Sequence, residues 1–262
     1  GGARGFSHLG VIKALEEFGI RFDYVAGTSA GSLIGAFYAA GYSYKEMYDI
    51  AKNIRMKDIK TNRVPFVPSK LDGVGEIIKK ELGDINIEDL KTPFSAVAVD
   101  LISTKEIVLS KGNLAKAVMG SCAVPAVFIP VDYNGMLLAD GGLQNTIPAD
   151  VPRHYGCDYV VAIDVNKSRT YGTESTKLTD VVMCSIRILM KSNAVRGYVC
   201  SDVVVAPETK RFKSTSAEGF EEMIEEGYNA TIDAMPQIME LFTRRKKVKD
   251  KPCDMGDVKF ID

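Results

Sequence analysis

The sequence predicts a single three-layer α/β/α sandwich around a central, mostly parallel sheet, and three observations carry that expectation. The chain has 262 residues, 46% hydrophobic and 26% charged, enough to bury one large core. Runs rich in valine and isoleucine alternate with segments of helical periodicity, the arrangement that builds a parallel sheet. The runs themselves, such as Val160-Val161-Ala162-Ile163, lack polar alternation, so helices are expected over both faces.

In chain order, strands are expected near 22–26, 94–100, 106–109, 136–139, 159–165 and 202–206. Between them, Leu9, Ile12, Leu15 and Phe18 form the stripe of a first helix, which Gly19 ends. Residues 30–40 are small and apolar all round, as a buried helix should be. Further helices are expected at 44–54, 73–82, 113–120, 178–193 and 218–243, with Asp72 as an N-cap. No repeat or linker interrupts them, so residues 1–262 read as one domain with a charged tail over 244–262.

Composition excludes several function classes. Thirty-three Lys and Arg nearly cancel thirty-four Asp and Glu, which removes the positive surplus that nucleic-acid binding needs. No run approaches the ~18 continuous apolar residues of a membrane span, so membrane contact would be peripheral. A cytoplasmic or membrane-peripheral location follows. Five scattered cysteines without a CxxC pair, and only two histidines, give no zinc spacing. Reduced, mostly buried thiols are expected, and no metal.

The chemistry gathers in three places. Gly27-Thr28-Ser29-Ala30-Gly31 fits G-x-S-x-G, follows a strand and opens a small-residue helix, which is the setting of a nucleophile elbow. There Ser29 would be the nucleophile, with Gly27 and Gly31 permitting the turn. Gly1-Gly2-Ala3-Arg4-Gly5 precedes the first helix and could gather backbone N–H groups into an anion cradle. No Lys-Ser/Thr follows it as in a P-loop, so an oxyanion suits it better than a phosphate. Arg4 either orients this loop or meets a headgroup phosphate.

A base is then needed. His154 would give the Ser-acid-His order of an α/β-hydrolase, whereas His8 is expected to pack or bond the neighbouring loop. Asp140 ends the run Met136-Leu137-Leu138-Ala139 and precedes Gly141-Gly142, a position beyond the carboxyl end of a strand. Asp72-Gly73 repeats the dipeptide but reads as a cap. An apolar setting would raise the Asp140 pKa and let it accept the serine proton.

Taken together, the GGARG loop, the GTSAG elbow and Asp140-Gly141-Gly142 resemble the patatin-like phospholipase family. Arg4 to Gly19 is similar to its helix after the oxyanion loop, and Ser121-Cys122-Ala123-Val124-Pro125 to its segment before the late aspartate. The likeness spans about residues 1–165. It implies a Ser29–Asp140 dyad without histidine, hydrolysis of phospholipid or another acyl ester, no cofactor, and a first strand upstream of residue 1. Two other readings stay open: a Ser-His-Asp esterase using His154, and a lipid-binding regulator without turnover. Val64-Pro65-Phe66-Val67-Pro68 either borders an acyl site or touches lipid, or is a loop tucked on the core. The basic tail could lean on anionic lipid.

Overall fold

The computed structural model describes residues 1–54, 68–167, 172–243, 253 and 255–262. The Val64–Val67 part of the proline-stiffened segment and the charge run over 244–252 lie outside them.

The fold is organised by one strand. Phe94–Asp100 (β2) is buried along its whole length, which is why its sequence shows no polar alternation. Glu106–Leu109 (β3) pairs antiparallel along one edge of it. The other edge is shared. Val25–Thr28 (β1) runs parallel to its first half, with Thr28 opposite Val97, and Met136–Asp140 (β5) runs antiparallel to its second half, with Asp140 opposite Ala98. Val131–Tyr133 (β4) pairs with β5, and Val258–Ile261 (β8) pairs in parallel with β3. Val161–Ile163 (β6) and Val203–Val205 (β7) form a separate parallel ladder.

The sheet is therefore mixed, with antiparallel β2–β3, β2–β5 and β4–β5 pairs, and the expectation of a mostly parallel sheet is corrected. The reason is connection length. Neither the short β2–β3 link nor the Asn134-Gly135 turn between β4 and β5 has room for a crossover helix.

Helices cover both faces. Ala30–Ala39 (α2), Asp72–Leu82 (α4) and Leu114–Ser121 (α5) pack on the side of Phe94, Ala96 and Ala98. Val97 and Val108 on the opposite face meet Val151 of the short helix Asp150–His154 (α6). Ser7–Glu17 (α1) lies against Phe220–Thr243 (α9) and, with Tyr44–Ala51 (α3), closes a second core around Leu9, Phe37 and Met223. Leu178–Ser192 (α7) and Ala194–Cys200 (α8) complete the order. Asp72 lies inside α4, and Leu71 holds the cap position expected of it. Phe18, expected on the buried stripe of α1, is 49% exposed just beyond its end.

Two further expectations change. Cys200 and Cys253 form a disulfide with Cα atoms 5.8 Å apart, while Cys122, Cys157 and Cys184 stay free and half-buried. Docking of the β8 segment on α8 brings together two cysteines whose spacing carried no sign of it. The chain's end is also not merely a solvated tail, because β8 extends the sheet. Among the described residues, no helix is long and apolar enough to cross a membrane.

Candidate active site

The split edge of β2 assembles the site. Val97 and Ala98 are consecutive, so Thr28 and Asp140, their partners on that edge, are brought end to end. Ser29 follows Thr28 directly and so meets Asp140 although the chain separates them widely. At the junction, the Ser121 hydroxyl donates to the Val97 carbonyl (2.6 Å) and accepts the Ser29 N–H (2.9 Å). One side chain from α5 thus ties the Ser29 backbone to the template strand. Sequence reasoning quoted Ser121 but gave it no role.

Ser29 itself sits at φ 55° and ψ −126°, a conformation L residues rarely adopt and one that packing must hold in place. The two elbow glycines differ. A Cβ on Gly27 would lie 2.5–2.6 Å from the backbone of Gly31 and Ser32, so only glycine fits. A Cβ on Gly31 would meet nothing closer than His8 Nε2 at 3.8 Å. The Ser32 hydroxyl donates to the Ser29 carbonyl (2.7 Å) and steadies the first turn of α2.

Asp140 is fully buried. Gly142 N–H donates to its Oδ1 (2.8 Å), and Oδ2 has no hydrogen-bond partner. Burial pushes its pKa up; the Ser29 hydroxyl and the Gly142 N–H oppose this by favouring the carboxylate. Beside them, burial drives the Cys122 thiol up to about 12, with Asp140 adding to the effect, so it is no thiolate at neutral pH.

The histidines fall elsewhere. His154 ends α6, exposed, and stacks on Phe260 of β8 with centroids 4.0 Å apart, at the far edge of the sheet. It is not brought to Ser29, which corrects the Ser-His-Asp alternative. His8 Nδ1–H donates to the Gly5 carbonyl (2.8 Å), and burial holds its pKa down to about 4, so it is neutral.

The glycine loop forms a 3₁₀ turn, Gly2–Phe6, laid on the elbow. A Cβ on Gly1 would stand 3.9 Å from Ser29 Oγ, and one on Gly5 2.6 Å from Ala30 Cβ. Ala3 N–H is committed to the Ser214 carbonyl (2.9 Å), and the Gly1 nitrogen to Asn166 Oδ1 (3.0 Å). Gly2, at φ +60°, is the exposed member of the loop. Arg4 is buried, its Nε donates back to the Gly1 carbonyl (3.4 Å), and it is among the residues lining the cavity beside Ser29.

A cavity of about 1250 Å³ opens onto Gly1, Gly2, Ser29 and His8, with Ile34, Val124 and Met183 among its apolar walls. That exceeds the ~300–1,000 Å³ of ordinary small-molecule sites. Asp140 is not exposed to it, so the carboxyl stands behind the serine. Among the described residues, no three His, Cys, Asp or Glu side chains gather as a metal site.

A buried network braces the site from below. The Thr28 hydroxyl donates to the Asn145 carbonyl (2.8 Å), and Asn145 Nδ2 donates to Glu106 (2.8 Å) and Asp150 (2.9 Å). Arg196 of α8 hydrogen-bonds Glu106, pairs with Asp150 at 3.2 Å and donates to the Met255 carbonyl. No sequence motif marks this cluster.

Comparison with known proteins places the chain in a family. Residues 1–153 match the family described as patatin-like phospholipase. The chain is 33% identical over 172 residues to an uncharacterised NTE family protein of Mycobacterium tuberculosis, covering 64% of this chain and 48% of that protein. It is 37% identical over 187 residues to the human patatin-like phospholipase domain-containing protein 6, covering 66% of this chain and 14% of the relative. The chain thus spans half or less of these relatives. The solved structure of VipD from Legionella pneumophila superposes with a TM-score of 0.60 at 16% identity, covering 90% of this chain and 65% of that one, a likeness of fold.

Proposed function

The chain belongs to the patatin-like phospholipase family, and from that premise we propose that it hydrolyses lipid acyl esters with a Ser29–Asp140 dyad. One observation carries the reading: a fully buried carboxyl whose Oδ1 is pinned by Gly142 and whose Oδ2 is unpartnered stands behind a serine held in an elbow at the cavity wall. Burial makes that carboxylate a stronger base than one in water.

Ser29 Oγ attacks the ester carbonyl carbon and its proton passes to Asp140 Oδ2. The carbonyl oxygen becomes an oxyanion, to which we assign the Gly2 N–H and the N-terminus of α2 as donors. The C–O bond to the alcohol breaks and the alcohol departs with the proton from Asp140. Water then adds to the acyl-serine, gives a proton to Asp140, and Ser29 recovers it as the fatty acid leaves. The apolar walls of the cavity suit an acyl chain, and the dyad needs no cofactor.

The test is hydrolysis of a p-nitrophenyl acyl ester and labelling by a fluorophosphonate. Wild type should turn over and label at Ser29, while Ser29→Ala should do neither. Undiminished turnover by Ser29→Ala would sink the dyad, and an inert, unlabelled wild type would leave the lipid-binding regulator in its place.

A further inference from the structure

The cavity beside Ser29 has mostly apolar walls, but its charges are sorted along it. Among the described residues, the negative groups lining it are Asp23, Asp158 and Asp164. Asp23 and Asp158 flank Cys157 at the end where β1 begins, in the company of Arg21. At the serine end Asp164 faces a surplus of cations: Arg4, Lys167, Arg187 and Lys191. Both Asp164 oxygens are already engaged, one by the Asn166 N–H (2.8 Å) and the other by the Tyr198 hydroxyl.

Helix α7 sets two of these cations beside the reacting groups. Its Met190 packs on the turn that pins Asp140: a Cβ on Gly142 would lie 2.2 Å from Met190 Cε, and the Thr146 hydroxyl donates to the Met190 carbonyl. Arg187 comes three residues before Met190 and Lys191 one after it, so both project from the cavity face of α7 within about one turn, ~5 Å along the axis, of that contact. Arg187 is half-buried, and among the described residues no hydrogen bond or ion pair engages its guanidinium. A cation partly withdrawn from water and left without a counter-charge is costly, and an anion in the cavity removes that cost.

We propose that Arg187, with Lys191 one turn beyond it, binds the phosphate of the substrate's headgroup and selects esters whose headgroup carries a net negative charge. This rests on the hydrolase reading above, which puts the acyl carbonyl at Ser29. A guanidinium presents paired N–H donors that match phosphate oxygens. A choline headgroup would bring a quaternary ammonium beside Lys191, where the engaged Asp164 offers it no free oxygen. A neutral glyceride would leave Arg187 unanswered.

The test gives the full 262-residue chain dihexanoyl phosphatidic acid or dihexanoyl phosphatidylcholine, each below its micelle threshold so that no lipid surface contributes. Wild type should favour the phosphatidate in kcat/KM by about tenfold or more. Arg187→Met should erase most of that preference, chiefly through KM, and Arg187→Lys should restore part of it. Equal kcat/KM for the two lipids in wild type overturns the proposal, as does an Arg187→Met variant that loses both activities in the same proportion. A second readout does not need turnover: calorimetry with the ether-linked dihexyl phosphatidic acid should show binding that weakens in Arg187→Met. Inorganic phosphate binding as tightly as that analogue would make this a free-phosphate site and overturn the headgroup assignment. Hydrolysis without preference removes this inference alone; Arg187-dependent binding by a chain that hydrolyses nothing removes the dyad reading and leaves the anion site standing.

Discussion

Two of the places where this molecule buries carboxylates solve the problem in opposite ways. Glu106 and Asp150 share one guanidinium and one amide, from Arg196 and Asn145, so their charge is answered where it lies. Asp140 has a single N–H on Oδ1 and, among the described residues, no lysine or arginine in salt-bridge contact. Both sites lie beside the same sheet. The difference separates scaffold from chemistry: a neutralised carboxylate holds elements together, whereas an unanswered one stores basicity at a cost in stability.

Removing the unanswered charge should have the largest effect. Asp140→Asn keeps an acceptor for the Gly142 N–H but cannot take a proton, so ester hydrolysis should fall by about 10²–10⁴. Stability should move the other way. Because burial raises the folded-state pKa of Asp140, its contribution is fully present below the unfolded carboxyl pKa and is lost as pH rises through the folded value. At neutral pH the asparagine variant escapes that loss. Scanning calorimetry should show a higher Tm, by about 2–4 °C for each ~1 kcal/mol at this chain length. A lower Tm would mean that Asp140 is stabilised by something other than Gly142 and Ser29.

The answered site should behave in reverse. Arg196→Met strips the counter-charge from Glu106 and Asp150 and should lose about 3–5 kcal/mol in urea denaturation. An unchanged midpoint would show that Asn145 alone suffices there. Next comes pH. With Asp140 as the proposed base, kcat/KM should fall with acid through a pKa above the usual 3.8 of aspartate; a limb at or below that value would remove Asp140 from that role. The mildest change is Glu106→Gln. Burial raises the Glu106 pKa, and Asp150 remains to pair with Arg196, so the expected loss is about 1 kcal/mol with hydrolysis within tenfold of wild type.

Much of this was legible in the sequence where one local rule governed. Strands 94–100 and 106–109 occupy the residues their runs marked, since burial along the whole of each strand removes the usual polar alternation, and the polar Ser95, Asp100 and Glu106 within them are buried too. Ser29 and Asp140 stand out in the sequence because of nearby glycines, Gly27 and Gly31 about the serine and Gly141-Gly142 after the aspartate. Asn134-Gly135, with both residues at positive φ, is a direct hairpin signal that would have corrected the parallel reading and found β4. Other features had no local trace. β8 is a four-residue strand after a charged stretch, and the Cys200–Cys253 bridge and the Arg196 cluster exist only through tertiary approach. Leu178–Ser192 (α7), whose Leu178, Val181, Val182, Ile188 and Leu189 are exposed, shows the complementary failure. Its periodicity gave the helix, but periodicity does not say which side meets water.

The shared edge of β2 carries one more implication. Ser29, one residue past the Thr28–Val97 rung, and Asp140, on the adjoining Ala98 rung, both take their places from β2, so their spacing is dictated by strand register and not by the loops between them. Segments inserted or deleted between those two rungs should be tolerated wherever they spare the pairing. A one-residue slip of either strand, by contrast, would turn its last side chain to the opposite face and separate the pair. Evolution and protein engineers alike are thus free to restyle the surface of this chain while leaving Ser29 and Asp140 in step.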